Sequence, residues 1–139
     1  MRYKKYDRKL IVRIDPKEEI IETLKQICKT QNIKLGTVNG IGATDKVVIG
    51  LLNLKTKNYQ SQEFIGDHEI TSLLGNISTM NDDAYLHIHV TLGNTKHESI
   101  GGHLISAVVS ITCELVIDII EGEIERKFSD DLGANLLSF

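Results

Sequence analysis

The segment AYLHIHVTLG, Ala84 to Gly93, alternates apolar and polar residues along its length. Successive side chains of an extended chain point to opposite faces. Tyr85, His87, His89 and Thr91 therefore share one face, while Leu86, Ile88, Val90 and Leu92 share the other. The second set is a core face, so the segment reads as a sheet strand whose other face carries two imidazoles.

Most of the remaining chain has the same extended character. Lys9 to Ile14 (KLIVRI) alternates Leu10, Val12 and Ile14 with Ile11 and Arg13 and predicts a strand. Lys34 to Gly40 and Ala43 to Leu54 predict two more, because their glycines and β-branched residues disfavour a helix. A turn follows at Thr56 to Asn58, then strand-like pieces YQSQEFIG and HEITSLLGNISTM, then a turn at Asn81-Asp82-Asp83. VSITCELVIDII suggests a strand covered on both sides, ended by Gly122, and EIERKF a short further strand. Ser129 to Phe139 forms a tail whose apolar finish, Leu136, Leu137 and Phe139, must dock on this chain or on a neighbour.

Only one segment has helical spacing. Ile20, Ile21, Leu24, Ile27 and Cys28 recur on one face, opposite Lys17, Glu18, Glu22, Lys25 and Lys29. Asp15 is a suitable N-cap, Pro16 suits the first helical position, and Glu18 completes a capping box, so a helix is expected from about Pro16 to Gln31. One helix among many strands with hairpin-length turns indicates an α+β fold with a mainly antiparallel sheet. At 139 residues the length suits a single compact domain, residues 1–139, with its core over about 9–128 and a tail at 129–139.

The longest apolar stretch, Leu104 to Ile120, is interrupted by Ser106, Ser110, Thr112, Glu114 and Asp118, too polar for a membrane span. The amino end lacks the apolar run of a secretory signal, and a cytoplasmic location is the expectation. Cys28 and Cys113, 85 residues apart and outside any CxxC pair, read as small buried hydrophobes. A formal net charge of −3 argues against wholesale non-specific nucleic-acid binding. Locally, however, Arg2, Lys4, Lys5, Arg8, Lys9 and Arg13 face only Asp7, which makes Lys4, Lys5, Arg8 and Lys9 the candidate nucleic-acid contacts.

Four of the five histidines, His87, His89, His97 and His103, lie within seventeen residues. Imidazoles at i and i+2 of a strand are about 7 Å apart at their Cα atoms and can converge on one ion at about 2.0–2.1 Å. His103 is the natural third ligand, since Gly101 and Gly102 let the backbone turn tightly and approach the strand closely. Three histidines leave a fourth position for water or substrate. A solvent-facing polar pair has the same spacing, so at this point both readings stand. His97 sits in the polar turn Asn94 to Glu98 and reads as a bystander. Glu69, beside His68, and Glu114 are candidate orienting groups or bases. There is no GxSxG, P-loop or GxGxxG, and NGIGA (Asn39 to Ala43) reads as a bend.

In order, DPKEEIIETLKQICK, VNGIGA, HEITSLLGNIS, LHIHVTLG, GGHL and TCELVI resemble the plant and prokaryote conserved (PPC) domain over about Lys9 to Phe128. The resemblance implies a compact α+β domain with an antiparallel sheet and flanking helices, assembled as a homotrimer. It further implies a metal site, usually described with zinc, on His87, His89 and His103. In plants the domain follows AT-hooks in nuclear proteins associated with DNA and transcription, and prokaryotic relatives are often described as DNA-binding on that basis. An AT-hook needs an Arg-Gly-Arg core flanked by prolines, which this chain lacks. Three roles follow: a trimeric regulatory module with a DNA or protein partner, a zinc-dependent enzyme or small-molecule binder, or a structural site without metal.

Overall fold

The computed structural model describes all of residues 1–139. Its elements in chain order are β1 (Arg2–Tyr6), β2 (Lys9–Ile14), α1 (Ile20–Gln31), β3 (Gly36–Asn53), β4 (Asn58–Met80), β5 (Asp83–Gly93), β6 (Ser99–Ile119), β7 (Arg126–Ser129) and β8 (Ala134–Leu137). Strands β1-β2-β6-β3-β4-β5 form one antiparallel sheet in that order. Strand β5 also pairs with the start of β6, from His89↔His103 to Gly93↔Ser99. The long strands β3, β4, β5 and β6 thus close into a ring.

The expected antiparallel sheet is present, and Lys9–Ile14 is a strand with the alternation its sequence shows. The flanking helices reduce to one, α1, of 12 residues. Its buried face, Ile20, Thr23, Leu24, Ile27 and Cys28, packs on β5 and β6. Together with the inner face of the sheet it forms a contiguous cluster of 23 buried side chains, in which Ile14, Leu73, Ile77, Ile88, Leu92 and Ile117 are fully enclosed. Burying each such side chain contributes roughly 1.5–3 kcal/mol. Cys28 and Cys113 are free thiols within it, and burial pushes them up to about 11 and about 12. No helix is long and apolar enough to cross a membrane.

The helix starts later than its sequence suggests. Asp15 and Pro16 belong to a turn in which Lys17 has φ 72° and Glu18 N–H donates to Asp15 O, so no helical turn begins there. The cause is tertiary: Lys17 N–H donates to Val109 O, and Val109 N–H donates back to Glu18 O, which ties this stretch to β6. The N-cap is Glu19, whose carboxylate accepts from Glu22 N–H at 2.7 Å and from Ala107 N–H at 2.8 Å. The expected Asp15–Glu18 link survives within the turn, with Asp15 N–H donating to Glu18 Oε2 at 2.8 Å.

Two expected breaks are bulges in continuous strands. Register shifts at Gly40/Gly42 and Thr44/Lys46 bend β3 without ending it, and YQSQEFIG and HEITSLLGNISTM join as β4 across Gly66. Asn81 and Asp82, at φ 53° and 65°, form the two-residue turn between β4 and β5. The tail's backbone pairs with its own chain, β8 on β7, but its apolar finish is not buried there, since Leu136, Leu137 and Phe139 all remain exposed.

Glu19→Ala removes two acceptors at once and is expected to lower stability by about 1–2 kcal/mol in urea unfolding. Asp15→Ala, which loses partly exposed ion pairs, should cost less than half of that.

Candidate metal centre

His87 and His89 stand two residues apart on the same face of β5. His103, on β6, lies directly opposite His89 on one side and Gly50 of β3 on the other. Gly101 and Gly102 lie inside β6 and make no turn, which corrects half of what the sequence suggests for them. The close approach is real. A Cβ on Gly101 would stand 2.7 Å from Val90 O, and one on Gly102 would stand 2.9 Å from Gly50 O. Only glycines allow β6 to press against both neighbours just before His103.

One ring nitrogen from each histidine lies within 4.8 Å of the others. His87 Nε2 and His89 Nε2 are 3.2 Å apart, and the ring centroids are separated by 5.1, 5.4 and 5.6 Å. Two ligands held at 2.0–2.1 Å on a tetrahedral ion stand roughly 3.3 Å apart, so this pair is already at ligand spacing. His103 Nδ1 is buried without a hydrogen-bond partner. Burial, with His87 and His89 adding to it, pushes the His103 imidazole down to about 4. Burial, then the Arg126 guanidinium and His89, also lowers His87. Both shifts favour the uncharged form of His87 and His103, the form in which imidazole binds metal.

The other candidates lie elsewhere. His97 is exposed in the β5–β6 turn at φ 61°, as its polar neighbours suggest. His68 Nδ1 bonds Gly66 O at 2.7 Å. Glu69 and Glu114 line one groove with Ile41 and Ile111, and no hydrogen bond joins either carboxylate to a site histidine. Glu114 is eleven residues along β6 from His103, roughly 35 Å of extended chain.

Lys4, Lys5, Arg8 and Lys9 are all exposed on the β1–β2 hairpin. Lys9 pairs with Asp118, Arg13 with Asp15 at 3.0 Å, and Lys4 stacks on Tyr6. Lys5 and Arg8 share a groove with Asp7, Glu121 and Glu123.

Sequence reasoning missed two neighbours of the triad, Tyr59, whose ring centroid lies 5.5 Å from that of His103, and Arg126. Arg126 is 6% exposed and sits over the Tyr85 ring at 4.9 Å, close enough to His87 for its charge to be felt there. A lone arginine in EIERKF carries no signal, because its partners Asn76 and Ser78 lie about fifty residues away.

The chain matches the Plants and Prokaryotes Conserved (PCC) domain over residues 1–121. It belongs to the PPC domain family. Among solved structures, a candidate DNA-binding protein from Bacteroides thetaiotaomicron shares 39% identity at a TM-score of 0.97, over 99% of this chain and 96% of that one. A metal-containing protein from Archaeoglobus fulgidus shares 30% identity at 0.90, over 100% and 99%. A PPC protein from Pyrococcus horikoshii shares 29% at 0.88, over 99% and 95%. No functionally curated protein matches the chain.

Gly101→Ala is expected to destabilise the protein by on the order of 2 kcal/mol, because backbone must move. Gly93→Ala, whose Cβ would meet only Thr71 Cγ2 at 3.6 Å, should cost less than half as much in the same chemical denaturation.

Proposed function

We propose that this PPC-domain protein is a homotrimeric metal-binding module in which His87, His89 and His103 hold zinc or another divalent ion. The ion's remaining position receives a small-molecule ligand. The observation that carries this reading is the 3.2 Å spacing of His87 Nε2 and His89 Nε2, with His103 completing the triad. The metal-containing archaeal neighbour supports it. When bound, the ion supplies Lewis acidity, polarising a carbonyl or lowering the pKa of a water. The chain's own residues supply three imidazole donors on two strands whose register is fixed by the core.

Trimerisation draws support from the outer sheet face, where exposed Ile11, Ile41 and Leu74 line one groove and Ile111 lies beside it. Clustered exposed apolar side chains of this kind mark protein interfaces. A zinc-dependent enzyme is the second reading, and the same triad favours it. It lacks an assigned base, since Glu69 and Glu114 converge on a different groove.

Protein purified without a histidine tag is expected to carry about one divalent ion per chain and to show a trimer mass by light scattering. His87→Ala with His89→Ala should lower metal content at least tenfold. Equal metal in both proteins removes the site, and a single-chain mass removes the assembly.

The neighbours' description as candidate DNA-binding proteins makes a DNA-associated regulatory role the extension to test. Any contact would come from Lys4, Lys5, Arg8 and Lys9, repeated three times in the trimer. Retention on duplex DNA should then fall steeply with salt, and a Lys5→Ala, Arg8→Ala variant should have a shallower slope. No retention at low salt, or a salt-independent response, excludes DNA.

A further inference from the structure

Arg126 is the one charged side chain buried in the fold, at 6% exposure. Its Nε donates to Ser78 Oγ at 2.8 Å, its Nη1 to Asn135 O at 2.7 Å and its Nη2 to Asn76 Oδ1 at 2.8 Å. All three acceptors are neutral. A buried cation without a counter-charge carries a desolvation cost that neutral acceptors offset only in part, so its positive charge stays uncompensated inside the fold.

Its partners put it on the histidine face. Asn76 lies directly opposite His87, and Ser78 directly opposite Tyr85. Directly opposed residues of an antiparallel pair project to the same side of the sheet. Tyr85, His87 and His89 follow one another on that side at every second residue, and His103 stands opposite His89. Arg126, bridging Ser78 and Asn76 over the Tyr85 ring, therefore occupies the rows next to His87. The triad contains no carboxylate, so three neutral imidazoles would leave a divalent ion's charge uncompensated as well. Two positive centres side by side with no anion between them form a site for an anion.

We infer that the position left open by His87, His89 and His103 takes an anionic oxygen ligand, a carboxylate or phosphate group, and that Arg126 is the positioning charge that selects it over a neutral ligand. This rests on the metal-binding reading above. Arg126 acts at a distance: in a partly buried site a unit charge is felt over several ångströms, so direct contact is not required. The selecting charge comes from β7, beyond residues 1–121, so the C-terminal hairpin adds it to the matched domain.

The test uses the full chain loaded with cobalt, whose visible spectrum reports ligands entering the metal's coordination sphere. Acetate, inorganic phosphate and neutral acetamide are titrated separately. In the wild type, acetate or phosphate should perturb the spectrum at concentrations at least about tenfold lower than acetamide, and their ratio assigns the anion as carboxylate or phosphate. Asn76→Asp keeps the acceptor for Arg126 but neutralises its charge, and should shrink the preference for anions to within about threefold. Arg126→Gln should act in the same direction, and the aspartate variant carries the test if the glutamine variant does not fold. Acetamide binding as well as both anions, or a preference unchanged in Asn76→Asp, overturns the inference. Failure of the wild type to take up cobalt fails the metal-centre reading, whereas a loaded protein indifferent to charge fails only this one.

Discussion

The pairing of β5 with the first residues of β6 is the contact on which the rest depends. It turns an open sheet into a ring and brings His103 opposite His89. The register is held by the core, because Ile88, Val90 and Leu92 are buried on the inner face while His87 and His89 occupy the other. A slip of one residue would turn both imidazoles inward and three apolar side chains outward. At roughly 1.5–3 kcal/mol for each apolar side chain, that alternative is strongly disfavoured. The histidine geometry is thus fixed by hydrophobic burial on the opposite face.

What the sequence reveals follows the range of the interactions involved. Alternation over Tyr85 to Leu92 is local, so the strand, its core face and the shared face of His87 and His89 can all be read directly. The Asn81-Asp82 turn is equally local, since two left-handed residues between strands suffice to make it. The start of α1 is not legible, because Lys17 and Glu18 bond to Val109, about ninety residues away, in preference to extending the helix. Likewise Gly40, Gly42 and Gly66 look like breaks until the partner strands are seen to continue past them. For His103 the residue was readable and its setting was not: the preceding glycines serve close packing between β3 and β5.

Long range also explains why the carboxylates and Arg126 mislead. Glu69 gains apparent relevance from its neighbour His68, yet the sheet carries it to a groove shared with Glu114. Arg126 has no such neighbour in sequence, and the hairpin of β7 and β8 delivers it to the histidine face. The environment of the triad therefore reverses the sequence-based picture, with a buried guanidinium near His87 where a carboxylate was sought.

That reversal bears on how a three-histidine centre behaves. A carboxylate hydrogen-bonded to a ligating imidazole raises the ligand's basicity and offsets the ion's charge. Here burial and the Arg126 guanidinium both weaken His87 as a donor, which would leave an ion held there more electrophilic. Relatives with this backbone, whether described as metal-containing or as candidate DNA-binding proteins, superpose at TM-scores of 0.90 and 0.97. A shared backbone does not distinguish such roles. In this chain the side chains on the triad's face include Arg126, Tyr85 and Asn76.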